Sequence, residues 1–298
     1  MRSVKLRKAI ASETLMIFIN PKTDFAFKKI FGSEQSKDIL ISFLNALLYD
    51  GHSIIQDLTI LNPYQVPKIL GVKESYLDVK AQLKNGSWVI IEMQVLNVAG
   101  FEKRVLYNAT KTYSAQLKIG DQYSVLNPVI ALTVTDFEMF KEGDRPISRF
   151  VLKEKNSLVD YPISDLELVF VELPKFKTPL SNLETLTDKW IYFPQYAKDL
   201  SVGPETMGAI AAIRQAFDIA NQAGLTPEEL DELEHQWMYI ADQRGAVTYA
   251  KEEGRQEGSQ AMQRSIAEKL LPTLDDVTIS QITGLSLNEI RSLRPAQC

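Results

Sequence analysis

Apolar and polar residues alternate along two neighbouring segments of the chain, in the stretch YLDVKAQLKNGSWVIIEMQ from Tyr76 to Gln94. A period of two predicts two half-buried β-strands. The Asn85–Gly86 pair between them is a strong signal for a tight turn, so the stretch is predicted to form a β-hairpin. Each strand carries one carboxylate, Asp78 or Glu92. What these acids do depends on the faces that they occupy.

Two turns are compatible with this stretch, and they differ in strand register. A two-residue type I′ loop would pair Asp78 with Met93 and would place Glu92 on the opposite face from Asp78. A three-residue loop, Lys84–Gly86, would hold Gly86 in the left-handed conformation as a bulge. That loop would pair Asp78 with Glu92.

The distribution of apolar side chains favours the three-residue loop. In that register one face of the hairpin is entirely apolar and carries Val79, Ala81, Leu83, Val89, Ile91, Met93 and Val95. The other face carries Asp78, Lys80, Gln82, Trp88, Ile90, Glu92 and Gln94. A slip of one residue would move the apolar set of a whole strand to water, so we predict the bulged turn.

The bulged register is expected to bring two carboxylates together. Directly opposed residues have Cβ atoms about 4.5–5.5 Å apart. Two carboxylates at that separation repel unless one is protonated or a cation lies between them. Mg²⁺ prefers oxygen ligands and would satisfy both. Two alternatives stay open: Lys80 neutralises one charge, or the face is the charged, solvent-facing side of the sheet. Trp88 and Ile90 on that face argue against full exposure.

The remaining pattern predicts helices and further strands. Helical spacing runs through DILISFLNALL and through GFEKRVLYNATKTYSAQLKIGDQY, where we expect a helix of about five turns that ends at Gly120. NPVIALTVTDF and SDLELVFVELPKF are typical of strands. This order predicts an α/β fold with a mixed central sheet flanked by helices. From about Leu180 the pattern becomes mainly helical, so we expect one domain over residues 17–180 and a helical C-terminal region over residues 181–298.

Two features of the C-terminal region concern assembly. Gly254 and Gly258 lie four residues apart in a charged segment, which indicates either a solvated helix or a close helix–helix contact between protomers. VTISQITGLSLNEIRSL predicts two short helices joined at residues 283–285, like half of a helix-turn-helix. Few basic residues accompany them, so packing or dimerisation is favoured over DNA reading.

Composition narrows the class of protein. The 298 residues carry a net charge of −5 and are 45% hydrophobic, so nucleic-acid contacts must use local basic patches. The most basic stretch is Met1–Ile30. No apolar run approaches the ~18 residues of a membrane span. Cys298 is the only cysteine, so we expect a cytoplasmic protein without an intrachain disulfide.

Three blocks of the chain match a known pattern in order and spacing: NPKTDFAFKKIFGSEQSKDILISFLNALL, YLDVKAQLKNGSWVIIEMQ and RVLYNATKTYSAQLKIGDQYSVLNPVIALTVTDF. Together they resemble the Rpn family, recombination-promoting nucleases also described as transposases, in the PD-(D/E)xK nuclease superfamily. The resemblance implies a restriction-endonuclease-like core and Mg²⁺-dependent cleavage of DNA, with Mn²⁺ able to replace Mg²⁺. It implies that Asp78, Glu92 and Asp24 ligate the metal. Gln94 stands in the lysine position of the signature, where it would orient water or touch the phosphate.

Basic residues in and near these blocks are candidates for phosphate contacts. Arg104 and Lys111 are seven residues apart in the predicted helix and share one face with Lys118. Lys28 belongs to the basic N-terminal stretch. Lys80 lies on the predicted carboxylate face, where it would replace the charge that a glutamine cannot supply.

Two functions follow from these observations. The first is a metal-dependent DNA endonuclease serving recombination, mobile elements or defence, expected to act as a homodimer because cutting both strands usually needs two copies. The alternative is a catalytically weak or inactive module that keeps the nuclease fold and binds DNA or protein.

Overall fold

A computed structural model describes residues 18–65 and 75–294 of the chain. Within these residues, a six-stranded sheet has the spatial order β1-β4-β5-β6-β8-β7, and a small two-stranded sheet pairs β2 with β3. The strands are β1 (Leu58–Leu61), β2 (Tyr64–Gln65), β3 (Ser75–Tyr76), β4 (Val79–Leu83), β5 (Trp88–Gln94), β6 (Val129–Thr135), β7 (Ile147–Phe150) and β8 (Leu166–Glu172). Residues 1–17 of the basic N-terminal stretch and Cys298 lie outside the described residues.

Helices cover both sides of the large sheet and make up most of the chain after residue 185. Those described are α1 (Asp24–Phe31), α2 (Lys37–Leu48), α3 (Phe101–Ser114), α4 (Leu186–Tyr196), α5 (Glu205–Gly208), α6 (Ala211–Ala220), α7 (Pro227–Leu270), α8 (Asp276–Thr283) and α9 (Leu287–Leu293). In the part of the chain that the structure describes, no helix combines the length and apolar character needed to cross a membrane.

The predicted mixed sheet flanked by helices is confirmed. Strands β5, β6 and β8 run parallel, while β1, β4 and β7 pair antiparallel with their neighbours. All seven residues of β6 are buried, as expected for a central parallel strand covered on both faces. Helices α1 and α2 contribute to the core on one face, and α3 lies on the other.

The hairpin adopts the predicted register. Val79 pairs with Ile91 and Ala81 with Val89. The turn closes through a hydrogen bond from the Gly86 N–H to the Leu83 carbonyl at 2.9 Å, and Gly86 has φ of 91°. The predicted apolar face is buried in the main core together with α1 and α2.

One consequence drawn from that register is wrong. The ladder ends at the pair Val79–Ile91 and does not extend to Asp78 and Glu92. The chain bends at Asp78, whose N–H donates to the Ile91 carbonyl at 3.2 Å. Leu77 therefore packs with Ile90 on the α3 side instead of sharing the face of Val79. Because of this bend, Asp78 and Glu92 are not directly opposed across the ladder.

Helix α3 is shorter than predicted. It ends at Ser114 and not at Gly120, so Lys118 does not continue the helical face of Arg104 and Lys111. The side-chain amide of Gln116 exchanges two hydrogen bonds of 2.9 Å with the backbone N–H and carbonyl of Asn127. These bonds hold the chain in a non-helical course after the helix.

The first compact unit extends further along the chain than residue 180. It comprises residues up to Met238, and a second unit begins at Tyr239. Trp190 of α4 packs on Phe31 and Phe43, with ring centroids 5.9 and 5.5 Å away. Helices α4, α5 and α6 therefore belong to the core of the sheet domain, since their buried residues pack in the same cluster as α1 and α2.

The second unit has a small core of its own. Ala267, Ile279, Leu285 and Ile290 are buried together. The two predicted short helices are α8 and α9, and Gly284, with φ of 76°, ends the first. Gly254 and Gly258 are exposed in α7, so a protomer contact through them stays a prediction.

Gly86→Ala tests the turn that sets the register. A Cβ at this position would lie 2.5 Å from Asn127 Oδ1, and φ is positive. Gly143→Ala is the matched control, since Gly143 also has positive φ but no atom within 4 Å. We expect the control to lose about 1–2 kcal/mol of unfolding free energy from backbone strain alone and Gly86→Ala to lose more, measured by urea denaturation. Equal losses would contradict the close approach.

Trp190→Ala tests whether α4 belongs to the core of the sheet domain. Trp190 is fully buried, so its truncation is expected to cost about 3–5 kcal/mol in a urea unfolding experiment. Tyr123→Ala is the control, because Tyr123 is 82% exposed, and we expect a change within about 0.5 kcal/mol. A Trp190→Ala loss as small as that of the control would contradict the assignment.

Candidate active site

The candidate site lies along the edge of the large sheet that is formed by the ends of its central strands, not along an edge strand. Parallel strands β5, β6 and β8 end there, and the antiparallel strand β4 begins there. Helices α1 and α3 bring their first turns to the same edge, since Asp24 contacts Asp78 and Arg104 contacts Glu92. Side chains distant in sequence therefore meet where the strands end.

Asp78 and Asp24 form one half of the site. Thr23 caps α1 with its side chain and places Asp24 in the first turn. The two carboxyl groups are hydrogen-bonded to each other, and the Asp78 side chain is only 12% exposed. Asp78 Oδ2 also accepts from the Met93 N–H at 2.6 Å. Lys28 Nζ lies 2.8 Å from Asp24 Oδ1 and 3.8 Å from Asp78 Oδ1.

The pKa values of these two acids diverge. Burial, together with the hydrogen bond to Asp24, raises the pKa of Asp78 well above its usual value. Burial also acts to raise the pKa of Asp24, but the hydrogen bond from Asp78 and the nearby Lys28 ammonium outweigh it and lower that pKa. Two carboxyl groups in contact cannot both ionise easily. With Lys28 as the one cation beside them, Asp24 and Asp78 are therefore expected to share a proton.

Glu92 forms the other half of the site, on the α3 side. Its Oε1 lies 2.5 Å from Arg104 Nη2, and its side chain is 14% exposed. Asn108, one turn further along α3, also hydrogen-bonds to it. Burial raises the pKa of Glu92 despite both partners. The two strand carboxylates therefore face different helices, although Asp78 is bonded to Met93, the residue next to Glu92.

The nitrogen and the oxygen of the Gln94 amide are both hydrogen-bonded within the chain. Its Nε2 donates to the Leu96 carbonyl and its Oε1 accepts from Arg104 Nη2, both at 2.6 Å. Nε2 carries two hydrogens and Leu96 accepts only one of them, so the role implied for Gln94, orienting water or touching a phosphate, stays a prediction. The Gln94 oxygen also helps to fix the position of Arg104.

Two predicted DNA-binding lysines lie against aromatic rings. Lys80 Nζ lies 4.8 Å from the centroid of the Trp88 ring, and burial lowers the pKa of Lys80. Lys111 Nζ lies 5.7 Å from the Tyr107 ring. The suggestion that Lys80 neutralises a strand carboxylate finds no contact among the described residues. Lys28 and Arg104 are the cations that contact those acids.

The donor set suits a hard divalent cation. Asp24, Asp78 and Glu92 offer only oxygen ligands, which Mg²⁺ prefers, and the contact between Asp24 and Asp78 is one that a cation relieves. Among residues 18–65 and 75–294, however, no three His, Cys, Asp or Glu side chains lie in an arrangement that could hold a metal ion.

Asn108 and a partly buried ion pair were not predicted. Asn108 is nearly inaccessible and lies four residues after Arg104, so helical spacing was a usable signal for it. Lys22 Nζ lies 2.8 Å from Asp136 Oδ1, and the Asp136 N–H bonds to the Gln94 carbonyl. Lys22 and Asp136 are 114 residues apart, so no local pattern indicates their pairing.

The mixed sheet, its flanking helices and the helical C-terminal region define a restriction-endonuclease-like α/β fold. A family model described as PD-(D/E)XK nuclease family transposase matches residues 21–250. The chain belongs to this family, and the resemblance found in the sequence is confirmed. Neither curated proteins nor solved structures gave a match.

Asp78→Asn tests the shared proton. A folded-state pKa above the unfolded value stabilises the fold below the unfolded pKa, and this stabilisation is lost as pH rises through the folded pKa. The asparagine keeps the hydrogen bonds without the charge. Without divalent ions, we expect the variant to melt above the wild type at pH 8 by at least about 2 °C, the shift given by roughly 1 kcal/mol. The difference should vanish towards pH 4.

Asp57→Asn is the control for this experiment. Its hydrogen bond with Lys37 lowers the pKa of Asp57, so its contribution is present above the unfolded pKa and has the opposite sign. A melting-temperature gain at pH 8 in the control, or none in Asp78→Asn, would contradict the shared proton.

Proposed function

We propose that this chain is a metal-dependent DNA endonuclease that hydrolyses phosphodiester bonds. The observation that carries the proposal is the hydrogen bond between the exposed carboxyl group of Asp24 and the nearly buried carboxyl group of Asp78, at the strand ends near Glu92. A soluble fold gains nothing from pressing two carboxylates together, since one must be neutralised. In a chain of a nuclease family, a metal ion is the natural neutralising group.

Asp24, Asp78 and Glu92 would hold the ion, which we propose to be Mg²⁺ with Mn²⁺ as a substitute. When bound, such an ion polarises the phosphate and lowers the pKa of water. The side chains have separate tasks. In holding the ion, Asp24 and Asp78 would give up their shared proton, and Glu92 would give up part of its contact with Arg104.

Hydrolysis proceeds by in-line attack of water on phosphorus. A new phosphorus–oxygen bond forms, and the bond to the leaving sugar oxygen breaks. The water loses one proton to solvent, and the leaving oxygen gains one. The chain contributes by orienting the phosphate: Lys28 and Arg104 lie beside the acids, and Lys80 and Lys111 extend the basic contacts on the hairpin and on α3. These four side chains supply the local positive charge that DNA requires in an acidic protein.

A non-catalytic binding module is the second candidate. It is favoured by the ion partners that the acids already have, since Lys28 contacts Asp24 and Asp78 while Arg104 contacts Glu92. A site whose charges are balanced without metal can persist as a structural relic. In that case the basic side chains would bind DNA without cutting it.

Plasmid nicking separates the two candidates. With Mg²⁺ or Mn²⁺ the wild type should convert supercoiled plasmid to nicked or linear forms. Asp78→Asn and Glu92→Gln should each be slower by at least about 100-fold, the usual cost of losing a group that stabilises the transition state. Glu252→Gln is the matched control, because Glu252 lies exposed on α7, and it should keep the wild-type rate.

Two outcomes would overturn the proposal. Cleavage retained by both site variants would indicate a different site or a contaminating nuclease. DNA binding by the wild type without cleavage under any divalent metal would establish the binding module.

We further propose a homodimer, and a role in recombination, mobile elements or defence. Two copies would allow both strands of a duplex to be cut. Sedimentation velocity would show one 33.7 kDa chain or two.

A further inference from the structure

Arg104 connects the two residues of the signature that follow each other on β5. Its Nη2 lies 2.5 Å from Glu92 Oε1 and donates to Gln94 Oε1 at 2.6 Å. Arg104 lies in the first turn of α3, and its guanidinium is 5.1 Å from the ring of buried Phe101. A positive charge is therefore held at position 94 although residue 94 is neutral.

The guanidinium retains donors after making these contacts. An arginine side chain has five N–H hydrogens, and Nη2 carries two of them. Nε is buried without a partner, and Nη1 makes no hydrogen bond or ion pair within residues 18–65 and 75–294. The side chain is 40% exposed. Arg104 can thus hold Glu92 and Gln94 through one nitrogen and offer the other to an anion.

The other cations at this edge are less available. Lys28 contacts two carboxylates, Lys22 is paired with Asp136, and Lys80 lies over Trp88. Gln94 is itself held by the Leu96 carbonyl, which turns its oxygen towards Arg104. The amide therefore acts as an acceptor that orients a cation.

We propose that Arg104 is the catalytic cation of this nuclease and that Gln94 is its positioning residue. Arg104 takes the place of a strand lysine: its free nitrogen binds the phosphate oxygen on which negative charge grows as water attacks. This inference rests on the proposed function. It assigns a different role to Gln94, which accepts a hydrogen bond from the Arg104 guanidinium and need not activate water.

A charge exchange between the two positions tests the proposal. Arg104→Gln should lower kcat for plasmid nicking by about 100-fold, as for loss of one preorganised transition-state donor. Gln94→Lys should also lower kcat, because the ammonium repels Arg104 and removes its acceptor. The double variant, Gln94→Lys with Arg104→Gln, returns the cation to the strand. It should exceed Arg104→Gln by about tenfold, a coupling typical of residues in contact.

Two binding measurements give readouts independent of turnover. We would measure Mn²⁺ affinity by electron paramagnetic resonance, without DNA. We would also measure the affinity for a phosphorothioate duplex in Ca²⁺ by fluorescence anisotropy. Arg104→Gln should tighten Mn²⁺ binding, since it removes a cation from Glu92, and should weaken duplex binding. A variant that merely disturbs the fold would weaken both. Arg255→Gln is the matched control, because Arg255 is exposed on α7.

The outcomes separate this inference from the proposed function. If the wild-type chain cleaves no DNA with any metal, the proposed function is wrong. The assignment of Arg104 as a catalytic residue is then wrong as well. With an active wild type, three results would each overturn the inference alone: wild-type kcat in Arg104→Gln, a double variant no faster than either single one, or Mn²⁺ and duplex affinities that fall together.

Discussion

Strand register in one hairpin determines where Glu92 and Gln94 of the site are placed. Gly86 adopts a left-handed conformation, and the three-residue turn that it permits puts one uninterrupted apolar face against α1 and α2. A register shifted by one residue would mix charged and apolar side chains on both faces, and the core could not form. The same turn places Glu92 and Gln94 on the α3 side, within reach of Arg104. Burial of the hydrophobic face therefore selects the geometry of the polar one.

The bend at Asp78 departs from this regular pattern and gives the site its electrostatic character. By leaving the ladder at Val79, the chain turns one carboxylate towards α1, while the other stays against α3. Each acid then meets a basic side chain from a different helix. With the proton that Asp24 and Asp78 share, the two basic side chains balance the three carboxyl groups without a metal ion, and this balance makes the arrangement compatible with a stable fold. A buried cluster of three unpaired carboxylates would oppose folding.

The sequence predicts the mixed sheet, the hairpin register, strands β6 and β8 and the two short terminal helices, because each depends on local periodicity or turn chemistry. It does not indicate β1 and β7, which are four-residue strands with little room for a pattern. Strict alternation of apolar and polar residues does not predict the bend at Asp78. The division at residue 180 reflected a change of composition, whereas Trp190 shows that burial continues across it. The three acids and Arg104 of the site could be identified from the sequence. The Arg104–Gln94 contact and the Lys22–Asp136 pair could be found only from the tertiary structure.

Arginine suits the position beside Glu92 in a way that lysine does not. A lysine ammonium is a compact point charge on a flexible stem, and its three donors rotate, so it does not hold a donor in a fixed direction. A guanidinium is planar and has separate nitrogens, so contacts on one side leave a fixed donor on the other. Placing the cation on α3 and the acceptor on β5 also makes its position depend on helix–sheet packing, through Phe101 and Val105, which are both buried. The chemistry of the strand ends is thus coupled to the second hydrophobic face of the sheet.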